Sequence, residues 1–319
     1  MTLLTTSVVL ALVWFATIGI LTSAMVWVAA RIIDARSVQL RPNVLLALRL
    51  APSAAGLGFV ATIFLPAHWL FESPGTPESF GFVLLAIAGT TLAIALRTIL
   101  RGGIVAAHGI ALRRSLRGRP IATGELRSAD ALEVEGLTGL SLAGFFSTKI
   151  LVGATARQAL TDAELDVALA HERAHRRAWD NLKRFAVFCA PDLLGLSQGG
   201  RQLEQAWNAA AECRADALAV EGDATRAVNL ASALVKVARL ADRSPAHTGS
   251  IAWSTFHQKG LLETRVRRLV NGASAPRALR LPIGSLAIAS ALTTLATLWM
   301  ASVPHDIYRL TEALIRLLP

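Results

Sequence analysis

From Met1 to Ala30 the chain runs without a single charged side chain. A helix rises about 1.5 Å per residue, so about 20 apolar residues cross the hydrocarbon core of a bilayer. This run exceeds that length. A cleaved signal peptide would begin with basic residues, carry a shorter apolar core and end at a small-residue cleavage site. The uncharged N-terminus and the length of the run therefore predict an uncleaved span. Three more runs follow the same logic: Leu50 to Phe71, starting near Val44 and carrying Arg49 at its end; Ser79 to Leu96, extending to about Ile104; and Leu281 to Pro304. The second contains Pro52 and Pro66, which a spanning helix tolerates when neighbours satisfy the freed backbone groups.

Charge placement agrees with this division. Charged residues make up 17% of the chain and hydrophobic residues 53%, against about a quarter charged in soluble domains. The net charge of +10 is compatible with nucleic acid or with anionic lipid. The basic residues crowd the ends of the apolar runs, which favours a lipid bilayer as partner and no nucleic acid. Arg31, Arg36 and Arg41 lie between the first two runs; Arg113, Arg114, Arg117 and Arg119 follow the third; Arg277 and Arg280 precede the fourth. The loop between the second and third, 72–78, holds no basic residue. The positive-inside rule then predicts a multi-pass protein of the cell membrane. Its N-terminus and C-terminal tail would lie outside and the long segment before the fourth span inside. Two cysteines, Cys189 and Cys213, make neither a disulfide framework nor a cysteine metal site.

The expected fold is a mainly α multi-pass membrane protein. Residues 1–110 would form a three-helix transmembrane region and 111–280 an inserted cytoplasmic α+β domain. A fourth span at 281–304 and a short external tail at 305–319 would follow. In the inserted domain, Ala131 to Ala154 is rich in Val, Leu, Ile and Phe with glycine punctuation, and predicts two or three short strands. Thr161 reads as a helix N-cap with Glu164 as its capping-box partner, opening a helix from Asp162 to about Arg184. The apolar stretch Phe185 to Leu196, broken by Pro191 and Asp192, is too short to span and is expected against the membrane surface. Helices are expected from about Arg201 to Val220, from Ala224 to Ala241 and from Leu261 to Leu269.

The chemistry concentrates in His171-Glu172-Arg173-Ala174-His175. Residues i and i+4 share one helical face, so two imidazoles can meet one metal ion. Glu172, beside the first of them, can take a proton from a metal-activated water. A catalytic zinc needs a third protein ligand and an open position. Glu212 is the candidate, 37 residues beyond His175 on the next long helix, with Asp216 one turn further where it can hydrogen-bond a ligand imidazole.

The run Thr161-Asp-Ala-Glu-Leu-Asp-Val-Ala-Leu-Ala-His-Glu-Arg-Ala-His175, then Asp180, then Glu212-Cys-Arg-Ala-Asp216, resembles the membrane-embedded gluzincin zinc metallopeptidases. The similarity is closest over about 160–280. The order of three spans, protease and one span resembles the BlaR/MecR antirepressor peptidases, as does HERAHRRAWD beside their HExxHxxxxD. The HtpX and CAAX prenyl protease family is the second choice. Two features depart from the first family. Ala215 stands where it often has cysteine, with Cys213 two residues earlier. Only about 15 residues follow the fourth span, so no penicillin-binding sensor domain is expected.

The resemblance implies one Zn²⁺ per chain on His171, His175 and Glu212, with Glu172 as general base and Asp216 and Asp180 supporting the ligands. It also implies an edge strand at Ile150, Leu151, Val152, Gly153 and Ala154 on which an extended substrate would pair. His257 and Arg265 resemble the elements that would stabilise the oxyanion. The implied function is hydrolysis of peptide bonds in a cytoplasmic or membrane-proximal protein such as a transcriptional repressor, with self-association left open. The alternatives are a membrane-protein quality-control protease of the HtpX type and a non-proteolytic membrane signalling scaffold that retains the zinc fold.

Overall fold

The computed structural model describes residues 3–35, 40–72, 80–115, 119–123, 126–192, 194–243, 253–255, 261–272 and 303–317. The chain is mainly helical, with one small sheet, and forms two compact units. One comprises Met1–Ile99, Ala190–Glu204 and Ala278–Pro319; the other comprises Leu100–Cys189 and Gln205–Arg277.

In the first unit, α1 (Leu3–Ala35) packs on α2 (Pro42–Phe59), which continues through a π-helical turn, Val60–Phe64, into α3 (Leu65–Phe71). The second apolar run is thus one helical path despite its prolines. Pro66 has no N–H to donate, and the wider turn immediately before it absorbs the missing bond. Gly56 lets α1 and α2 approach closely, since a Cβ there would lie 2.8 Å from the Phe15 ring. α4 (Phe82–Ser115) begins in this unit and runs past the expected boundary at residue 110. Leu3–Arg31, Pro42–Phe71 and Phe82–Ala111 are long and apolar enough to cross a membrane. Little of their surface is covered by protein. Met25 is 72% exposed, Leu70 73% and Phe82 82%, as lipid-facing side chains would be. The fourth apolar run, Leu281 to Pro304, lies almost wholly outside the described residues.

The tail expected after it is a helix, α11 (Val303–Leu317). Its apolar stripe places Ile307 and Ile315 against Leu10, Trp14 and Phe64, and Trp14 Nε1 donates to Thr311 Oγ1 at 3.1 Å. Phe71 meets the rings of His305 and Tyr308. At the opposite end of α2, Arg49 is buried. Its Nη1 donates to both oxygens of Asp192 at 3.0 and 3.1 Å, and its Nε to Glu204 Oε1 at 2.8 Å. Ser53 Oγ adds a bond to Asp192 Oδ2 at 2.5 Å. The stretch around Pro191 and Asp192, expected on a membrane surface, is instead drawn into the helical unit because a buried carboxylate needs a cationic partner.

The second unit sets five strands in the order β1-β2-β4-β3-β5: β1 Arg119–Thr123, β2 Leu126–Val134, β3 Leu140–Ala143, β4 Lys149–Gly153 and β5 Trp253–Thr255. β4 runs parallel to β2, with Leu132 opposite Leu151, and antiparallel to β3, with Ser141 opposite Leu151. The expectation that Ile150–Ala154 offers a free edge is therefore wrong. Both sides of β4 are hydrogen-bonded, Ile150, Leu151 and Val152 are fully buried, and Ala154 already begins helix α5 (Ala154–Ala159). A strand this apolar is stable only in the interior of the sheet.

Against the sheet pack α6 (Asp162–Arg177) and α9 (Ala224–Arg243), through Leu165, Leu169, Leu230 and Leu234 beneath Leu142, Ile150 and Val152. α6 opens on the expected capping box: Glu164 N donates to Thr161 Oγ1 and Thr161 N to Glu164 Oε2. The Glu164 carboxylate also accepts from two residues of α9, Ser232 Oγ at 2.5 Å and Lys236 Nζ at 2.7 Å. Burial would raise its pKa, but these bonds lower it to about 2. α7 (Asp180–Phe188), α8 (Gln198–Val220) and α10 (Leu262–Val270) complete the unit. The single helix expected from Asp162 to Arg184 is broken between α6 and α7 at Trp179, whose φ of 58° is left-handed.

Candidate metal centre

Four helices bring the candidate residues together. α6 supplies His171, Glu172 and His175; α7 supplies Asp180; α8 supplies Glu212 and Asp216; α10 supplies Arg265. His171, Glu172 and His175 are at most 1% exposed and Glu212 is 4% exposed.

The ligand atoms form a tight triangle. His171 Nε2 lies 3.1 Å from His175 Nε2 and 3.4 Å from Glu212 Oε2, and His175 Nε2 lies 3.5 Å from Glu212 Oε1. In a tetrahedral site with metal–nitrogen distances of about 2.0–2.1 Å, ligand atoms stand about 3.3 Å apart. The tautomers sharpen the argument. Each Nδ1 stands against a carboxylate, His175 at 2.7 Å from Asp180 Oδ2 and His171 at 2.9 Å from Asp216 Oδ1. The Asp180 hydrogen bond holds a hydrogen on His175 Nδ1 and turns its Nε2 towards His171 and Glu212. The two Nε2 atoms, 3.1 Å apart beside the Glu212 carboxylate, need a cation between them, which a proton on His175 or a metal ion supplies. His171, His175 and Glu212 are thus a buried group that could hold a metal ion.

The electrostatics point the same way. Burial would lower the His175 pKa, yet Glu212 and the Asp180 hydrogen bond push it up to about 10. Burial would raise the Glu212 pKa, but the neighbouring His175, the bonds to both histidines and Arg265 hold it well below the usual carboxylate range. Asp216, also opposed by burial, is lowered chiefly by Arg265, and Asp180 by His175 and Arg214. Glu172 moves the other way: burial raises its pKa, with partial offset from His171 and His175. Both Glu172 carboxylate oxygens are buried without a hydrogen-bond partner among the described residues.

Arg265 is brought to the site, against the carboxylates of α8. Its Nε and Nη2 donate to Asp216 at 2.9 and 2.6 Å, and its Nη1 lies 3.0 Å from Glu212 Oε2. The guanidinium faces the carboxylates that flank the imidazoles. His257 lies outside the described residues. The reading of the sequence missed Arg214, whose Nη2 donates to both Asp180 oxygens at 2.9 and 2.7 Å, and Arg184, 3.5 Å from Glu212 Oε1. No spacing rule marks either, since each reaches the site only through tertiary packing.

The break at Trp179 explains how Asp180 serves His175. In a continuous helix a residue five positions on points about 140° away. The left-handed turn redirects the chain, so Asp180 folds back onto the Nδ1 of His175. Left-handed backbone costs a bulky residue about 1–2 kcal/mol. Helices usually place glycine there.

Three helices long and apolar enough to cross a membrane suggest a membrane protein, and its buried histidines and facing glutamate form a group that could hold a metal ion. No protein-family model matches this chain, and no curated protein matches it.

Proposed function

We propose that this chain is a membrane-anchored zinc metalloendopeptidase. The observation that carries the proposal is the convergence of two imidazole Nε2 atoms and a carboxylate within 3.1–3.5 Å, next to a buried glutamate whose oxygens have no hydrogen-bond partner among the described residues. His171, His175 and Glu212 would hold the zinc, which when bound supplies a Lewis acid that polarises the scissile carbonyl and acidifies water. Glu172, its pKa raised by burial, accepts the proton of the attacking water and delivers it to the leaving amine. Asp216 and Asp180 keep the Nδ1 hydrogens in place, and Arg265 holds Asp216 and Glu212 in register. A scaffold that only bound metal would need the ligands but not an unpartnered buried carboxylate, which costs free energy in a purely structural site.

The helical unit supports the topology in which 281–304 is a fourth span. Asp192 and Glu204 are pinned at the Arg49 end of the path formed by α2 and α3, and α11 sits at its Phe71 end. Those ends are about 30 Å apart at 1.5 Å per residue. The chain must cover that distance between Glu204 and Val303, and Leu281 to Pro304 is its apolar stretch. With the arginine-rich loops inside, the metal-bearing unit is cytoplasmic, and the substrate is a cytoplasmic or membrane-proximal protein such as a transcriptional repressor.

The test is zinc content by atomic emission on detergent-purified protein, together with proteolysis of casein and candidate repressors. About one zinc per chain is expected, lost in His171→Ala and Glu212→Ala. Glu172→Ala should keep zinc but lose turnover. Proteolysis unaffected by both chelation and Glu172→Ala would sink the enzyme reading.

A further inference from the structure

Beside the metal group, the end of α6 and the loop between β3 and β4 enclose a cleft of about 500 Å³ that reaches His175. Two of its aromatic side chains are solvated: Phe146 is 75% exposed and Trp179 53%. Trp179 is the residue held in left-handed backbone, a conformation that glycine would adopt without strain. Strained backbone kept by a bulky side chain points to a use for that side chain. Next to it Arg177 is exposed and has no carboxylate partner among the described residues. Asp180, the acidic residue that lines the cleft, is fully buried and already engaged by His175 and Arg214.

The walls are fixed before any ligand arrives. Asn181 Nδ2 donates to Leu142 O at 2.6 Å and Gly144 O at 3.0 Å, stitching the loop to α7. Gly144, at φ +95°, turns the chain where a Cβ would lie 2.9 Å from Ser147 O. Phe145 packs on Phe185 with ring centroids 4.6 Å apart, leaving Phe146 to point outward.

We propose that this cleft binds an extended peptide segment that presents a large apolar side chain next to a carboxylate. Trp179 and Phe146 grip the side chain, and Arg177 pairs with the carboxylate. The inference rests on the proposed peptidase function only in calling that peptide a substrate. Aromatic residues and arginine at a rim also suit a membrane interface, but here they border a concave space with polar walls, which fits a peptide better than a lipid surface.

The experiment uses the full chain in nanodiscs with Glu172→Gln, so that binding is read without turnover. Fluorescein-labelled heptapeptides with Glu-Phe, Lys-Phe or Glu-Ala at their centre are titrated by anisotropy. Glu-Phe should bind about threefold more tightly than Lys-Phe, the size of one exposed ion pair, and about tenfold more tightly than Glu-Ala, the size of one lost apolar side chain. Trp179→Gly should weaken Glu-Phe binding by about tenfold or more, while its melting temperature stays level or rises because the strain is gone. If that variant fails to fold, Trp179→Asn, tolerated at positive φ, takes its place. Arg177→Glu should invert the preference between Glu-Phe and Lys-Phe.

Equal binding of the three peptides, or wild-type affinity in both variants, would overturn the proposal. So would quenching of Trp179 emission by brominated lipid, which would assign the patch to the membrane. Discrimination of peptides without hydrolysis by the zinc-loaded wild type would leave the cleft standing and remove the peptidase reading. Hydrolysis of casein without discrimination would do the reverse.

Discussion

Asp180→Asn isolates the support given to one ligand. The carboxylate is fully buried, lies 2.7 Å from His175 Nδ1 and accepts twice from Arg214. Asparagine has the same shape and can still accept from the imidazole, so the ring is not released. What is lost is the charge. A hydrogen bond to a charged group contributes about 1.5–3 kcal/mol and a neutral one about 0.5–1.5, a difference of about 1–1.5 kcal/mol. Partners of metal-bound histidines are typically worth 10–100-fold in metal affinity, the same scale at about 1.4 kcal/mol per decade. Arg214 is partly solvated and can turn to water, which limits the cost to the fold.

Zinc affinity, measured by competition with a chromophoric chelator, should therefore fall about tenfold or somewhat more. A pH arm checks the cause. The His175 pKa, lowered by burial but raised more by Glu212 and Asp180, stands at about 10, so the metal-free protein carries that proton at neutral pH. Zinc must displace it, and apparent affinity should rise as pH increases towards about 10. Calorimetry in buffers of different ionisation enthalpy should show about one proton released per zinc at pH 7, and less in Asp180→Asn. Because this pKa is raised on folding, its stabilisation of the metal-free protein is full below about 6.5 and fades as pH rises through about 10. Wild-type zinc affinity and unchanged proton release in Asp180→Asn would refute the idea that Asp180 holds and charges His175.

Glu164→Ala should cost the metal-bearing unit about 2 kcal/mol, since it removes half a capping box and the bonds to Ser232 and Lys236. Its folded pKa of about 2 also makes that stability present above about pH 4.5 and lost as pH falls towards 2, visible in acid unfolding followed by circular dichroism; a mutant matching wild type across that range would contradict it. Arg49→Ala should cost about 3–5 kcal/mol in detergent, because it leaves the buried Asp192 carboxylate without its cation, and Asp192→Ala should cost less, because Arg49 keeps its bond to Glu204. In a double-mutant cycle the two losses should be far from additive, and additive losses would show that the pair does not act as one unit.

Much of this protein can be read from its residues in order. Periodicity and capping are local, so the helix start at Thr161 and the helix ends near Val220 and Leu269 stand within a few residues of where their patterns place them. The three apolar helices follow from length and charge alone, and His171, His175 and Glu212 meet because i, i+4 spacing and one further acidic helix suffice to suggest it. Other features depend on partners distant in sequence. Whether Ile150–Gly153 is an edge or a central strand is decided by β2 and β3 on either side; its apolar run favours the interior but does not name those neighbours. Arg265 could be assigned to an oxyanion or to a ligand carboxylate until α10 set it against Asp216. Asp192 sits in an apolar stretch that looks interfacial until Arg49, 143 positions away, claims it. The turn at Trp179 goes against the local preference for glycine and persists because packing and the His175–Asp180 bond outweigh its strain. Short-range energetics are written along the chain, whereas the pairing of strands and of buried charges is settled only where distant segments compete for the same partner.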